Sequence, residues 1–123
     1  MTFDNQNKKT GIKRITSAFI NTCKGLLWMS KNEAAFRQEV ILFSALAIVS
    51  LFLEVTALER VMLISALLLV LLTETLNTAI EAVVDRIGLE FHQLSGLAKD
   101  LGSAAVFISL LIAVLVWSAI LCF

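Results

Sequence analysis

The sequence predicts an all-α membrane protein of one domain, in which an amphipathic helix at the membrane surface precedes three transmembrane helices. Three observations lead to this prediction. Apolar residues make up 59% of the 123 residues, whereas soluble globular domains contain about 45–50%. Proline is absent, so no residue forces a helix to end. Residues 101–123 carry no charged side chain, and at about 1.5 Å per residue they can cross a bilayer core of about 30 Å.

The N-terminal helix is predicted over residues 10–31 from a regular apolar pattern. Apolar side chains recur there at spacings of three and four residues: Ile12, Ile15, Phe19, Cys23 and Leu26. The polar side carries the cations Lys13, Arg14 and Lys24. A helix with an apolar and a basic face lies in the membrane interface, with its cations near anionic headgroups. This helix is expected either to anchor the chain only or to bind phosphate as well.

Transmembrane helices are predicted over residues 36–58, 61–83 and 101–123. The charge-free centre of the first helix, residues 40–53, is too short to cross the bilayer, so the prediction extends it at both ends. The second helix carries Glu74 within an otherwise apolar run. Residues 54–60 and residues 84–100 are predicted to form the regions between the spans.

The distribution of basic residues predicts the orientation of the helices. Seven of the ten Lys and Arg residues precede residue 40, one lies in residues 54–60, and two lie in residues 84–100. Cytoplasmic loops are enriched in Lys and Arg, so the N-terminus and residues 84–100 are expected in the cytoplasm. The formal net charge is zero, which gives no general reason to expect nucleic-acid binding.

A stripe of polar residues follows the apolar run of the second predicted span. Glu74, Asn77 and Glu81 are spaced by three and four residues, which puts them on one face of a helix, and Asp85 extends this face by a turn. Charged groups within a bilayer are costly and commonly mark a function. Three interpretations remain open from the spacing alone: a catalytic site, polar contacts between packed helices, or a path for ions or protons.

Carboxylates are the main candidates for catalytic or metal-binding groups in this chain. The sequence contains no glycine-rich phosphate loop, no Cys/His metal cluster and no nucleophile-elbow motif. Four glutamates lie near the predicted cytoplasmic edge: Glu33, Glu39, Glu74 and Glu81. Their oxygen atoms suit Mg²⁺, which proteins hold with one or two carboxylates plus substrate phosphates. Glu74 lies deeper, which suits a general base, and Glu81 lies nearer the water, where a nucleotide-bound metal can reach it.

Several charged residues also have simple structural interpretations. Glu33 and Arg37 are four residues apart on one predicted helix and can form a surface ion pair. His92 is the only histidine, and a single histidine between two spans is commonly a surface loop residue. Lys99 and Asp100 can form a charged collar before the third span.

Three segments resemble the small integral-membrane diacylglycerol kinases of bacteria: residues 32–39 (NEAAFRQE), 74–88 (ETLNTAIEAVVDRIG) and 94–105 (LSGLAKDLGSAA). The resemblance runs from about residue 11 to the C-terminus. It implies an ATP-dependent lipid kinase of the bacterial inner membrane, which phosphorylates the free hydroxyl of 1,2-diacylglycerol to phosphatidic acid. It also implies Mg²⁺ as cofactor and a homotrimer whose active sites are shared between neighbouring subunits.

The same resemblance implies roles for individual residues. Glu74 would be the general base, Asn77 would orient groups beside it, and Mg²⁺ would be held by Glu33 and Glu81. Contacts with ATP would come from Arg14, Asn21, Glu33, Glu81, Glu90, Phe91, His92, Lys99 and Asp100. Contacts with the lipid substrate would come from Arg14, Arg37, Gln38, Glu39, Glu74, Ser103 and Trp117.

Two alternatives to a diacylglycerol kinase are considered. Related small kinases of other bacteria phosphorylate another membrane alcohol, undecaprenol, and the spans alone do not separate the two substrates. The longer match favours diacylglycerol. The second alternative is a non-enzymatic protein, such as a small channel or an assembly subunit, in which Glu74 and Asn77 serve helix packing or an ion path.

Overall fold

A computed structural model describes residues 10–123, which form four α-helices. They are α1 (Gly11–Asn32), α2 (Ala34–Phe52), α3 (Ala57–Ile87) and α4 (Gln93–Cys122). The predicted all-α class is confirmed. Three of the helices, α2, α3 and α4, are long and apolar enough to cross a membrane. The helix predicted over residues 10–31 corresponds to α1, whose large apolar side chains, such as Ile12 and Phe19, are exposed.

The chain forms two compact units, one ending at Arg37 and one comprising Gln38–Phe123. In the first unit, α1 ends at Asn32, and Glu33 adopts an extended conformation with φ −113° and ψ 104°. Nη1 of Arg37 donates hydrogen bonds to the carbonyl oxygens of Ser30 (3.0 Å) and Lys31 (3.1 Å). A cation there satisfies carbonyls that the end of α1 leaves without helix partners. Glu33 and Arg37 therefore do not share one helix, contrary to prediction, because the helix is interrupted at Glu33.

The connector between α2 and α3 differs from the prediction, because the first span ends at Phe52 rather than at residue 58. Thr56 forms a capping box with Glu59: Thr56 Oγ1 accepts from the Glu59 N–H (3.1 Å), and Glu59 Oε1 accepts from the Thr56 N–H (3.0 Å). This reciprocal pair starts a new helix, so residues 57–58 belong to α3. Arg60 donates to the carbonyl oxygens of Ser50 (2.9 Å) and Leu53 (3.0 Å) and thereby covers the end of α2.

The connector between α3 and α4 is also shorter than the predicted residues 84–100. Only residues 88–92 are non-helical, because α3 continues to Ile87 and α4 begins at Gln93. Charged residues mark where a span leaves the bilayer, but they do not end the backbone hydrogen bonding of a helix. His92 occupies the N-cap of α4, where Nδ1 accepts a hydrogen bond from the Leu94 N–H (3.1 Å). This capping role of His92 was not predicted.

Helices α3 and α4 pack as an antiparallel pair. Towards one end, Trp117 Nε1 donates to the carbonyl oxygen of Leu63 (3.1 Å), and towards the other, Lys99 Nζ lies 2.9 Å from Asp85 Oδ1. The buried residues of α4 are small: Gly102, Ser109 and Ala113. Small residues let transmembrane helices approach closely. The core between them and α2 consists of Phe43, Ala66, Leu67, Val70 and Ala113.

Candidate active site

The polar stripe lies on α3 as the spacing predicts. Glu74, Asn77 and Glu81 are all half-buried, whereas Asp85, one turn further along, is exposed. Asn77 Nδ2 donates a hydrogen bond to Glu81 Oε1 at 3.4 Å. This contact holds the Glu81 carboxylate beside the amide and leaves its second oxygen for another ligand.

Helix α2 contributes a further carboxyl group to the stripe. The side chains of Glu39 and Glu74 lie close enough to share a hydrogen bond. Glu39 Oε2 is buried without a hydrogen-bond partner within residues 10–123. The carboxyl groups of Glu39 and Glu74 are therefore neighbours, and one oxygen of Glu39 is buried without a donor.

Helix α4 contacts the stripe through a glycine. Gly102 is buried, and a Cβ atom added to it would collide with the side chain of Asn77. Asn77 Oδ1 is itself buried and has no hydrogen-bond donor within the described residues. The spacing of polar residues predicts Asn77 but not Gly102, because their contact depends on the alignment of α4 against α3.

The cationic side chain of Lys99 lies at the end of the stripe nearest the connector between α3 and α4. Lys99 forms the ion pair with Asp85, and Glu81 also acts on it electrostatically. The side chains of Lys99 and Asp85 are 44% and 51% exposed, and water screens exposed ion pairs, so the pair contributes little stability. A polyanion can consequently compete with Asp85 for Lys99 at low energetic cost.

Two small cavities flank the connector between α3 and α4. One, of about 280 Å³, is lined by Ile87, Gly88, Glu90, His92, Leu94 and Ser95. The other, of about 170 Å³, is shared by Glu90, Phe91, His92 and Lys99 together with parts of α3 and α4. Four residues predicted to contact a nucleotide thus border one cavity. The fifth residue from this region, Asp100, is exposed next to Lys99.

The remaining predicted nucleotide and metal residues belong to the first unit. Arg14 and Asn21 are exposed on α1, and Glu33 is half-buried at the interruption that follows α1. The guanidinium of Arg37 is bound to the end of α1, a role that was not predicted. Gln38, the first residue of the second unit, is exposed.

The two predicted lipid contacts on α4 differ in their surroundings. Ser103 is exposed next to Gly102. Trp117 is half-buried, donates its hydrogen bond to Leu63, and lines an apolar cavity of about 310 Å³ together with residues such as Leu42, Phe43 and Leu110. Trp117 therefore has a structural contact that the sequence analysis missed.

The oxygen donors of the stripe fit a hard cation. Within residues 10–123, no three His, Cys, Asp or Glu side chains are grouped closely enough to hold a metal ion by themselves. Mg²⁺ commonly takes only one or two protein carboxylates and completes its octahedron with phosphate oxygens and water. Glu81, with one oxygen held by Asn77, supplies a donor of this kind.

Comparison with known proteins places this arrangement in a family. The family model described as prokaryotic diacylglycerol kinase matches residues 20–121. The chain belongs to the prokaryotic diacylglycerol kinase family. It is 50% identical over 115 residues to the diacylglycerol kinase of Escherichia coli strain K12, which covers 94% of both chains. It is 47% identical to the Haemophilus influenzae diacylglycerol kinase, over 94% of this chain and 98% of that one.

The relationship extends to more distant members of the family. Identity to a diacylglycerol kinase of Helicobacter pylori is 37% over 115 residues. The family match includes α2 and α3 in full together with Glu33 and the whole polar stripe. Arg14 lies before its first matched residue. The predicted family is therefore confirmed, and the stripe lies within the part of the chain that defines it.

Proposed function

We propose that the protein is a diacylglycerol kinase, which transfers the γ-phosphoryl group of ATP to the free hydroxyl of 1,2-diacylglycerol and releases phosphatidic acid and ADP. The observation that carries this proposal is the half-buried stripe Glu74–Asn77–Glu81 on a membrane-length helix within a chain of the prokaryotic diacylglycerol kinase family. Diacylglycerol is dissolved in the bilayer and ATP in the cytoplasm. Because the stripe runs along the end of a span, it can contact both the lipid and the nucleotide.

Glu74 serves as the general base in the proposed reaction. The lipid hydroxyl oxygen forms a bond to the γ-phosphorus of ATP, the bond from that phosphorus to the β–γ bridging oxygen breaks, and the hydroxyl proton passes to Glu74. In-line positioning and a base for the attacking hydroxyl are what phosphoryl transfer requires of a protein. The nearby Glu39 carboxyl group supports this role, because it gives Glu74 a polar neighbour on α2.

Glu33 and Glu81 are the residues that would hold Mg²⁺. The ion, when bound, offsets the negative charge of the nucleotide phosphates. Glu81 would present its carboxylate to this ion, and Asn77 orients that carboxylate. Asn77 accordingly has the role of an orienting residue rather than of a base.

The nucleotide is proposed to bind beside the connector between α3 and α4. Lys99 supplies an ammonium that its ion pair with Asp85 already brings to the end of the stripe. The other contacts with ATP would come from Glu90, Phe91, His92 and Asp100 in this region. Further contacts with ATP would come from Arg14, Asn21, Glu33 and Glu81. The cavity shared by Glu90, Phe91, His92 and Lys99 supports this location.

The lipid would bind on the membrane side of the stripe. The residues proposed to contact it are Arg14, Arg37, Gln38, Glu39, Glu74, Ser103 and Trp117. The Lys and Arg distribution supports a cytoplasmic N-terminus in the bacterial inner membrane. We also propose a homotrimer with sites shared between neighbours, because three helices of one chain are too few to surround a nucleotide and a lipid together.

Turnover with purified protein tests the reaction and its substrate. The protein is given Mg-ATP with diacylglycerol or with undecaprenol, and phosphorylated lipid is measured. We expect phosphatidic acid to form much faster than undecaprenyl phosphate. Preference for undecaprenol would refute the proposed substrate, and turnover of neither lipid would favour a channel or an assembly subunit.

Substitution of the base tests the mechanism. Glu74→Gln keeps the size and hydrogen-bonding capacity of the side chain but removes the base, so kcat should fall by roughly 10² to 10⁴. The oligomer should survive in detergent. Glu54→Gln is the matched control, since Glu54 is exposed in the connector after α2, and it should retain parent turnover. Loss of the oligomer in Glu74→Gln, with no ATP-dependent activity in the parent protein, would support a structural role for the stripe.

Mixing of inactive subunits tests whether sites are shared. Glu33→Gln and Glu74→Gln chains are unfolded, mixed in equal amounts and reassembled. If each site takes these glutamates from two neighbours, random assembly completes about one site in four and restores about a quarter of the parent turnover. The absence of any recovery in verified mixed oligomers would mean that each site lies within one subunit.

A further inference from the structure

The contact between Gly102 and Asn77 leaves no room for a side chain on α4. A Cβ atom built on Gly102 would lie 3.1 Å from Asn77 Cγ and would overlap Asn77 Oδ1. Real Cβ atoms are not found at such a contact, so an alanine at this position requires Asn77 or the helices to move. By contrast, a Cβ atom built on Gly25 or Gly96 meets no heavy atom within 4 Å.

The same contact accounts for an otherwise unexplained acceptor. Asn77 Oδ1 is buried and receives no hydrogen bond from an N–H or O–H group within residues 10–123. It lies in the direction in which Gly102 carries a hydrogen instead of a side chain. A Cα–H···O contact of this kind recurs between closely packed helices and is weakly favourable. With Oδ1 turned towards α4, the amide presents Nδ2 to Glu81.

Helices α3 and α4 contact each other on both sides of this point. Along the α3–α4 pair, the Trp117–Leu63 hydrogen bond lies on one side of Gly102, and the Lys99–Asp85 ion pair lies on the other. Separation of α4 from α3 at Gly102 would strain both contacts. Rotation of the Asn77 side chain breaks only the 3.4 Å hydrogen bond to Glu81. A methyl group at position 102 is therefore expected to displace the amide rather than the helix.

We propose that Gly102 is a positioning residue for the reaction: the missing side chain lets the Asn77 amide lie against α4, so that Nδ2 holds the Glu81 carboxylate in place. This inference rests on the proposed kinase function. Gly102 does not touch the substrates and acts only through Asn77. Its effect on kcat and on the Mg²⁺ requirement should accordingly vanish when Asn77 is removed, whereas packing of Gly102 against residues other than Asn77 would not depend on Asn77.

A double-mutant cycle tests this dependence. Gly102→Ala, Asn77→Ala, the double variant and the control Gly25→Ala are compared with the parent for kcat, for KM of diacylglycerol and for the Mg²⁺ concentration of half-maximal turnover. Misplacement of a positioned group by about 1 Å costs up to roughly 100-fold in rate. We expect Gly102→Ala to lower kcat by about 10- to 100-fold and to raise the Mg²⁺ requirement, with less than about 3-fold change in KM for diacylglycerol. Gly25→Ala should match the parent.

The double-mutant cycle can either support or refute the positioning role of Gly102. In the Asn77→Ala background, Gly102→Ala should change kcat by less than about 2-fold, since contacting residues are non-additive. If the full loss recurs there, or if Gly102→Ala turns over like the parent, the positioning role is refuted. No lipid-dependent ATP turnover in the parent would instead refute the proposed function itself.

Gly102→Ala could fold poorly, and Asn77→Ala could lack measurable turnover. In either case, a measurement of stability tests the contact between Gly102 and Asn77 without the kinetics. Unfolding of all four variants in detergent is followed by circular dichroism. Any stability that Gly102→Ala loses should be largely recovered in Asn77→Ala/Gly102→Ala, because the truncated side chain makes room for the new methyl group. A double variant that is as unstable as Gly102→Ala would refute the contact on which the positioning role depends.

Discussion

Replacing Trp117 with phenylalanine separates a structural role of this residue from a role in lipid binding. The indole N–H donates to the carbonyl oxygen of Leu63 at 3.1 Å, and the residue also lines the apolar cavity between α2, α3 and α4. Phenylalanine keeps an aromatic ring on α4 but cannot donate the hydrogen bond. The variant therefore removes the link to α3 and retains most of the apolar surface that an acyl chain would meet.

The expected cost follows from the surroundings of Leu63. Leu63 is 0% exposed, so no water replaces the indole. Its carbonyl lies within α3 and also serves the backbone hydrogen bonding of that helix, so the acceptor is not left unsatisfied. Hydrogen bonds between transmembrane helices contribute on average about 0.6 and at most about 1.7 kcal/mol. We expect Trp117→Phe to lower the free energy of unfolding by about 1 kcal/mol, with KM for diacylglycerol changed less than about 3-fold.

Unfolding in mixed detergent micelles, followed by circular dichroism, and steady-state kinetics on the same samples test this prediction. Trp28→Phe is the matched control, because Trp28 is 51% exposed on α1 and its indole has no hydrogen-bond partner within the described residues. A tenfold rise in KM with unchanged unfolding would show that the indole contacts lipid rather than stabilising α4 against α3. An equal loss of stability in Trp28→Phe would show that the effect is not specific to the contact with Leu63.

Three further predictions concern a helix start, the metal and the nucleotide. Thr56→Ala should lower the free energy of unfolding by about 1 kcal/mol, whereas Thr22→Ala, whose hydroxyl bonds only within α1, should have little effect; equal losses would contradict the role of the cap. Glu81→Ala should raise the Mg²⁺ concentration of half-maximal turnover by about 10-fold or more, and an unchanged Mg²⁺ dependence would remove Glu81 from the metal site. Lys99→Gln should raise KM for ATP by about 10-fold through loss of a charge-assisted hydrogen bond. Asp85→Asn should not raise that KM, since it frees Lys99 from a 2.9 Å ion pair; a raised KM would mean that the ion pair assists nucleotide binding.

The number and type of helices were predictable because apolar runs and helical spacing are local properties of the chain. The helix ends were predicted less well. The sequence contains the capping-box pattern of Thr56 followed three residues later by Glu59, and this signal would have started α3 at residue 57. The length that a bilayer requires favours instead a first span that continues through this cap to residue 58. Local hydrogen bonding ends α2 at Phe52 instead.

The stripe itself was predictable, but its partners on α4 were not. An antiparallel helix pair brings together residues equidistant from the centre of its connector. The observed connector, residues 88–92, is centred on residue 90 and brings Asn77 near Gly102. The predicted region, residues 84–100, is centred two residues later and would have brought Asn77 near Phe107, more than one helical turn away. A small error in the helix ends thus obscured the contact between Asn77 and Gly102.

The surface of a single chain supports the proposal of a shared site. On α3, the large apolar side chains Leu72, Leu76 and Val83 are 54%, 56% and 61% exposed, as suits contact with lipid or with another subunit. Glu74 and Glu81 lie on the opposite face of α3, because a spacing of two residues corresponds to about 200° around a helix, and both are only half-buried. A charged side chain that faces lipid at mid-bilayer costs about 2.5–3.5 kcal/mol or more. This cost falls when the open side of the stripe is covered by a neighbouring subunit and by the substrates, so the partial exposure of Glu74 and Glu81 in one chain favours a site that neighbouring subunits share.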